Sequence, residues 1–125
     1  MKSPIVIVED RDISVHPSPE HAEAFLEPID VKDSNYIGYD SEGNLLDLSV
    51  VSAEKQHSLL LFKWTTRSNV IRIKLRQPPE NREEDLKNKL RQYLENRENK
   101  KIKSQLSIRE LIQMISKYMP WRLDA

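Results

Sequence analysis

The chain of 125 residues contains no cysteine. Disulfides, thiolate metal ligands and thiol nucleophiles are therefore excluded. It holds only two glycines, Gly38 and Gly43, too few for a glycine-rich loop that cradles phosphates. No apolar stretch approaches the roughly eighteen residues of a membrane-spanning helix. The N-terminal run "PIVIV" (4–8) is cut off by Glu9 and Asp10, too early for a secretory signal. A cytoplasmic protein without membrane contact is expected. Serines occur without a G-x-S-x-G elbow. The three histidines, His16, His21 and His57, lack the four-apart helical spacing of a zinc site. They are expected on the surface, at a strand end, a helix start and a loop. Neither enzyme, metal nor cofactor chemistry is expected.

What the chain does have is charge, unevenly placed. Charged residues make up 32% of it and hydrophobic ones 38%, a polar balance that still permits a core. The formal net charge is +0, but residues 1–57 carry twelve Asp or Glu against four Lys or Arg, a net of −8. Residues 58–125 carry eight against sixteen, a net of +8. Such a division either steers charged partners or lets the two halves neutralise one another inside one fold.

Patterning predicts a single α+β domain over residues 1–125. Residues 1–77 supply two strands, a helix and a four-strand region, and 80–119 supply two C-terminal helices. "PIVIV" and "ISVH" (13–16) read as a hairpin. In "SPEHAEAFLEP" (18–28), Ser18 suits the N-cap, Pro19 the first helical position, and Pro28 the stop. Ala22, Phe25, Leu26 and Ile29 fall at helical spacing as its buried stripe. "NYIGY" (35–39) and "LLDLSVV" (45–51) flank "DSEGN" (40–44), which has the residues of a tight turn. Counted as a calcium loop from Asp40, it has Gly43 at position four and Val51 at position twelve, so that reading fails. "SLLLFKW" (58–64) and "NVIRIKLR" (69–76) read as two more strands joined by "TTRS" (65–68). Apolar groups on both faces of 58–64 suggest a central strand. The sum is a largely antiparallel sheet of about six strands, with one short N-terminal helix and two C-terminal helices packed on it. In the first of these, Leu86, Leu90, Tyr93 and Leu94 form a stripe. In the second, Ser107 and Glu110 form a capping box and Ile108, Leu111, Ile112, Ile115 and Met119 the apolar face.

Two surfaces stand out. Asp30, Asp33, Asp40, Glu42 and Asp47, interleaved with Tyr36 and Tyr39, resemble an aromatic-anchored acidic contact for a basic protein partner. Asp30, Asp33, Tyr36, Asp40 and Glu42 are its candidate residues, and a solvated acidic face is the plain alternative. The second is a basic strand face of Arg72, Lys74 and Arg76, with Arg67 in the turn before it. Such rows neutralise phosphates in nucleic-acid-binding modules; they also blunt a sheet edge or pair with acidic neighbours. Trp121 in "MPWRLDA" either caps the core or stands exposed as an anchor.

"PIVIVEDRDISVHPSPEHAEAFLEPIDV" and "YIGYDSEGNLLDL" together resemble a group of small bacterial proteins that includes immunity proteins of polymorphic-toxin systems. The resemblance covers residues 4 to about 50. It implies a non-enzymatic, immunity- or antitoxin-type protein that neutralises a cognate toxin by direct association, and the acidic surface points to a basic toxin domain as that partner. It implies no site residues. A small nucleic-acid-binding module is the alternative.

Overall fold

A computed structural model describes residues 1–26 and 36–123. Eight elements follow in order: β1 (Ile5–Glu9), β2 (Asp12–His16), α1 (Pro19–Phe25), β3 (Tyr36–Tyr39), β4 (Leu45–Leu59), β5 (Phe62–Leu75), α2 (Glu83–Glu98) and α3 (Ile108–Ser116). The strands form one antiparallel sheet in the order β2-β1-β3-β4-β5. The α+β class with helices packed on the sheet is as expected, with five strands in place of about six.

The sheet is covered on both faces, and β1 shows why. Its residues alternate between two cores: Ile5 and Ile7 join one, Val6 and Val8 the other. Every one of the four is buried, as a strand without a solvent face requires. The larger core lies under α2 and α3, where Leu86, Leu90, Leu94, Leu111, Ile112 and Ile115 meet Val6, Val15, Tyr39 and Leu45. The smaller lies under α1, where Ala22 and Leu26 meet Ile5, Ile7, Leu46, Ile71 and Ile73.

Local chemistry sets the helix ends. The Ser18 hydroxyl accepts from the His21 amide (3.1 Å). Leu26 takes an extended backbone and ends α1 directly after Phe25, so Phe25 is half exposed while Ala22 and Leu26 are buried; Pro28 and Ile29 lie outside the described residues. Pairs Glu83–Lys87 (3.7 Å) and Asp85–Lys89 (3.0 Å) form along α2. Asn99 closes α2 in the left-handed region (φ 54), which Asn tolerates better than most residues. The capping box of Ser107 and Glu110 opens α3.

The largest departure from expectation is in β4 and β5. "TTRS" is no turn: Thr65–Ser68 run on inside β5, and the hairpin reverses at Leu60 and Leu61. The two strands pair without interruption from Leu46↔Leu75 to Leu59↔Phe62. Three expected strand segments thus merge into two long ones. The reason is side-chain shape: threonines favour the extended pleat, and "TTRS" contains neither Gly nor Pro to break it.

Candidate functional site

Beyond Val50 and Ile71, no residue of β4 or β5 joins either core. The distal hairpin stands clear of the body as an arm. At about 3.3 Å per residue, Val51–Leu59 gives it a length of roughly 30 Å.

Cross-strand partners in an antiparallel pair share a face, so the register assigns both faces of the arm. On one lie Ser52/Asn69, Glu54/Arg67, Gln56/Thr65 and Ser58/Lys63, a polar face clasped by Glu54 accepting from the Arg67 Nε (2.9 Å). On the other lie Val51/Val70, Ala53/Ser68, Lys55/Thr66, His57/Trp64 and Leu59/Phe62. His57 and Trp64 stack with ring centroids 5.3 Å apart, and the His57 Nε2 hydrogen-bonds to the Thr66 hydroxyl (2.9 Å). The second face carries the larger apolar groups, interrupted by Lys55/Thr66 and Ser68, and none of its residues is buried. At the tip Leu59 is 64% exposed, Leu60 90%, Leu61 97% and Phe62 72%. Four consecutive apolar residues in water, continuous with a stripe down one face, far exceed scattered surface hydrophobics. An isolated two-stranded ribbon is also marginally stable by itself.

β5 is an edge strand, and its inner part is blunted. The Glu23 carboxylate accepts from the Ile73 amide (2.7 Å), and the Arg72 guanidinium donates to the Ile71 carbonyl (3.2 Å). Among the described residues no such cover extends along Lys63–Asn69.

The basic candidates are divided by this geometry. Arg72 and Lys74 are exposed, on the same face as Arg76. Arg67 is within β5, on the opposite face, because "TTRS" is strand. Nearby carboxylates neutralise part of the charge: across the ladder Arg67 pairs with Glu54 and Arg76 with Asp47 (3.1 Å), Arg76 also pairs with Glu80 after the strand (3.6 Å), and Lys74 stands opposite Asp47.

Of the acidic candidates, Asp30 and Asp33 lie outside the described residues. Asp40 is buried; its carboxylate accepts from the amides of Glu42 (2.9 Å), Asn44 (3.0 Å) and Lys2 (3.2 Å) and from the Asn44 side chain (3.1 Å). It shapes the β3–β4 turn. Glu42 is exposed and pairs with Lys2 (3.2 Å). Tyr36 is half-buried at the other end of β3, against the smaller core.

His16 and His21 lie at a strand end and a helix start as expected, but two of the histidines depart from expectation. His16 is fully buried, and His57 lies within β4. The His16 Nδ1 hydrogen-bonds to the His21 Nδ1 (2.9 Å), and its Nε2 to the Ser14 hydroxyl (2.8 Å). Trp121 stacks on His16 (5.1 Å) and donates its indole N–H to the Val15 carbonyl (2.7 Å), so it caps this cluster. Burial, and secondarily His21, lowers the His16 pKa to about 4. Tyr39 donates to Asp85 (2.5 Å); burial first, then that bond, raises its pKa, and the same bond with Lys89 lowers that of Asp85.

Among the described residues, no group of three or more His, Cys, Asp or Glu is placed to hold a metal ion, and no helix is long and apolar enough to cross a membrane. A cleft of about 500 Å³ lies between Lys2–Pro4, Ser41, Glu42 and Arg109–Gln113 of α3. Sequence reasoning reached the apolar segment 58–64 but placed it inside the sheet. Apolar residues recur at alternate positions from Val51 to Leu59 and from Phe62 to Val70, but Lys55, Thr66 and Ser68 interrupt them, so the pattern did not by itself show a one-sided ribbon. Comparison with protein-family models, curated proteins and solved structures found no match.

Proposed function

We propose that this chain is a non-enzymatic protein-binding protein whose β4–β5 arm is the contact surface. One observation carries the reading: an apolar ribbon face and tip, about 30 Å long, held in water by a body whose two cores it does not join. Apolar surface of this extent is unfavourable unless something covers it. The strand pairing and the Glu54–Arg67 clasp hold the arm extended, so binding need not order it first. Pairing between the acidic and basic halves, as in Arg76–Asp47 and Arg67–Glu54, offsets part of their charge, and apolar contact is the main source of affinity. The immunity- or antitoxin-type activity implied by the N-terminal resemblance is one form such binding can take, with a toxin domain as the protein held.

The test compares the intact protein with a version in which Ser52–Asn69 is replaced by Asn-Gly, each used as bait in lysate of the native host. A protein retained stoichiometrically by the intact chain and lost with the arm is the expected result. Retention that does not depend on the arm, or retention of nucleic acid alone, would overturn it.

A further inference from the structure

The apolar face of the arm is self-complementary. Its five cross-strand pairs run Val51/Val70, Ala53/Ser68, Lys55/Thr66, His57/Trp64, Leu59/Phe62. The central pair divides them into a small half and a large half. When two such ribbons pack face to face about a two-fold axis through Lys55/Thr66, each half of one copy meets the opposite half of the other. The stacked rings of His57 and Trp64 then lie over the small Ala53 and Ser68. Leu59 and Phe62 at the tip lie over Val51 and Val70 at the base. Large against small is the arrangement by which facing layers interdigitate without voids, and a two-fold interface requires this reciprocity of one surface with itself. The polar face, with Glu54, Arg67 and Lys63, remains in water on both copies. Lys55 meets its own counterpart at the axis, where its long stem lets the ammonium turn outward to solvent.

We infer that the protein held by the arm is a second copy of this chain, packed apolar face to apolar face in an antiparallel, two-fold dimer. This rests on the protein-binding reading and names the partner. A ribbon roughly 30 Å long and two strands wide buries on the order of 500 Å² per copy, about 1,000 Å² in all, near the lower limit of specific interfaces. The dimer is therefore expected to dissociate on dilution.

Sedimentation equilibrium of the full chain across roughly 1–200 µM tests the proposal. The register supplies a matched pair of variants: Ala53→Arg places a charge beneath the partner's His57–Trp64 stack, and Ser52→Arg places the same charge one residue away on the polar face. Neither position touches a core, and circular dichroism checks that both variants fold. Expected is a concentration-dependent dimer in the parent, retained by Ser52→Arg and weakened at least tenfold by Ala53→Arg. Equal weakening by both, or by neither, overturns the face-to-face arrangement. A parent that stays monomeric throughout overturns the second copy as partner. The host-lysate comparison then separates the two readings: a different protein held through the arm leaves protein binding standing, and no arm-dependent protein removes both.

Discussion

His16 is buried, neutral and hydrogen-bonded to Ser14 and His21, and the described groups packed on it, His21, Ser14, Phe25 and Trp121, include no carboxylate to offset a proton. Its folded pKa of about 4 lies below the ordinary value of 6.5. The unfolded chain therefore binds the proton first, and stability present above pH 6.5 is lost as pH falls towards 4. Between pH 7.5 and 5.0 this amounts to about 2 kcal/mol. Urea unfolding at the two pH values should show that loss, and His16→Gln should flatten it. At Gly43 the backbone takes φ 86, and a Cβ there would come within 2.6 Å of the Glu83 Cα. Gly43→Ala should cost about 2 kcal/mol or more, through strain and a clash with backbone; a melting temperature within a degree of the parent would contradict it. The turn was legible in "DSEGN" because Asp40 and Gly43 are the residues such a turn needs. The burial of His16 was not, since nothing local signals that Trp121, a hundred residues on, covers it.

At the scale of elements, the helices were readable and the long hairpin was not. Leu86, Leu90, Tyr93 and Leu94 recur at helical spacing and are buried as that spacing requires. Leu90→Ala should therefore cost about 2–5 kcal/mol by cavity formation under α2, measured by chemical unfolding. The hairpin turn escaped notice because Leu60 and Leu61 have no turn chemistry: Leu60 adopts φ 57, a conformation that Gly, Asn or Asp adopts far more readily. Expecting the turn at "TTRS" instead put an apolar segment in the middle of the sheet. An apolar strand with two apolar faces reads identically whether it is covered by helices or projects into solvent; only the tertiary context distinguishes them. Replacing Ser52–Asn69 by Asn-Gly joins Val51 to Val70 across a tight turn and removes nothing from either core. The shortened protein should keep its helical circular dichroism and unfold within a few degrees of the parent. Loss of folding would show that the arm supports the body.

The whole molecule is a three-layer body with an apolar arm, and the arm is where structure and sequence expectation part most widely. The acidic and basic halves, which suggested two charged contact surfaces, meet in the cross-strand ion pairs Arg76–Asp47 and Arg67–Glu54. Exposed pairs of this kind contribute little stability each, but they offset part of the charge around Asp47, Glu54, Arg67 and Arg76. The surface left over is apolar and concentrated at Leu59–Phe62. A photo-crosslinking residue in place of Leu61, the most exposed of these side chains, tests most directly whether that surface is covered by protein in the cell. Irradiation of living cells should yield a discrete covalent protein adduct, at twice the mass of the chain if the partner is a second copy. An exposed tip that forms no protein adduct, or one that labels only lipid or nucleic acid, would contradict the arm as a protein-binding surface.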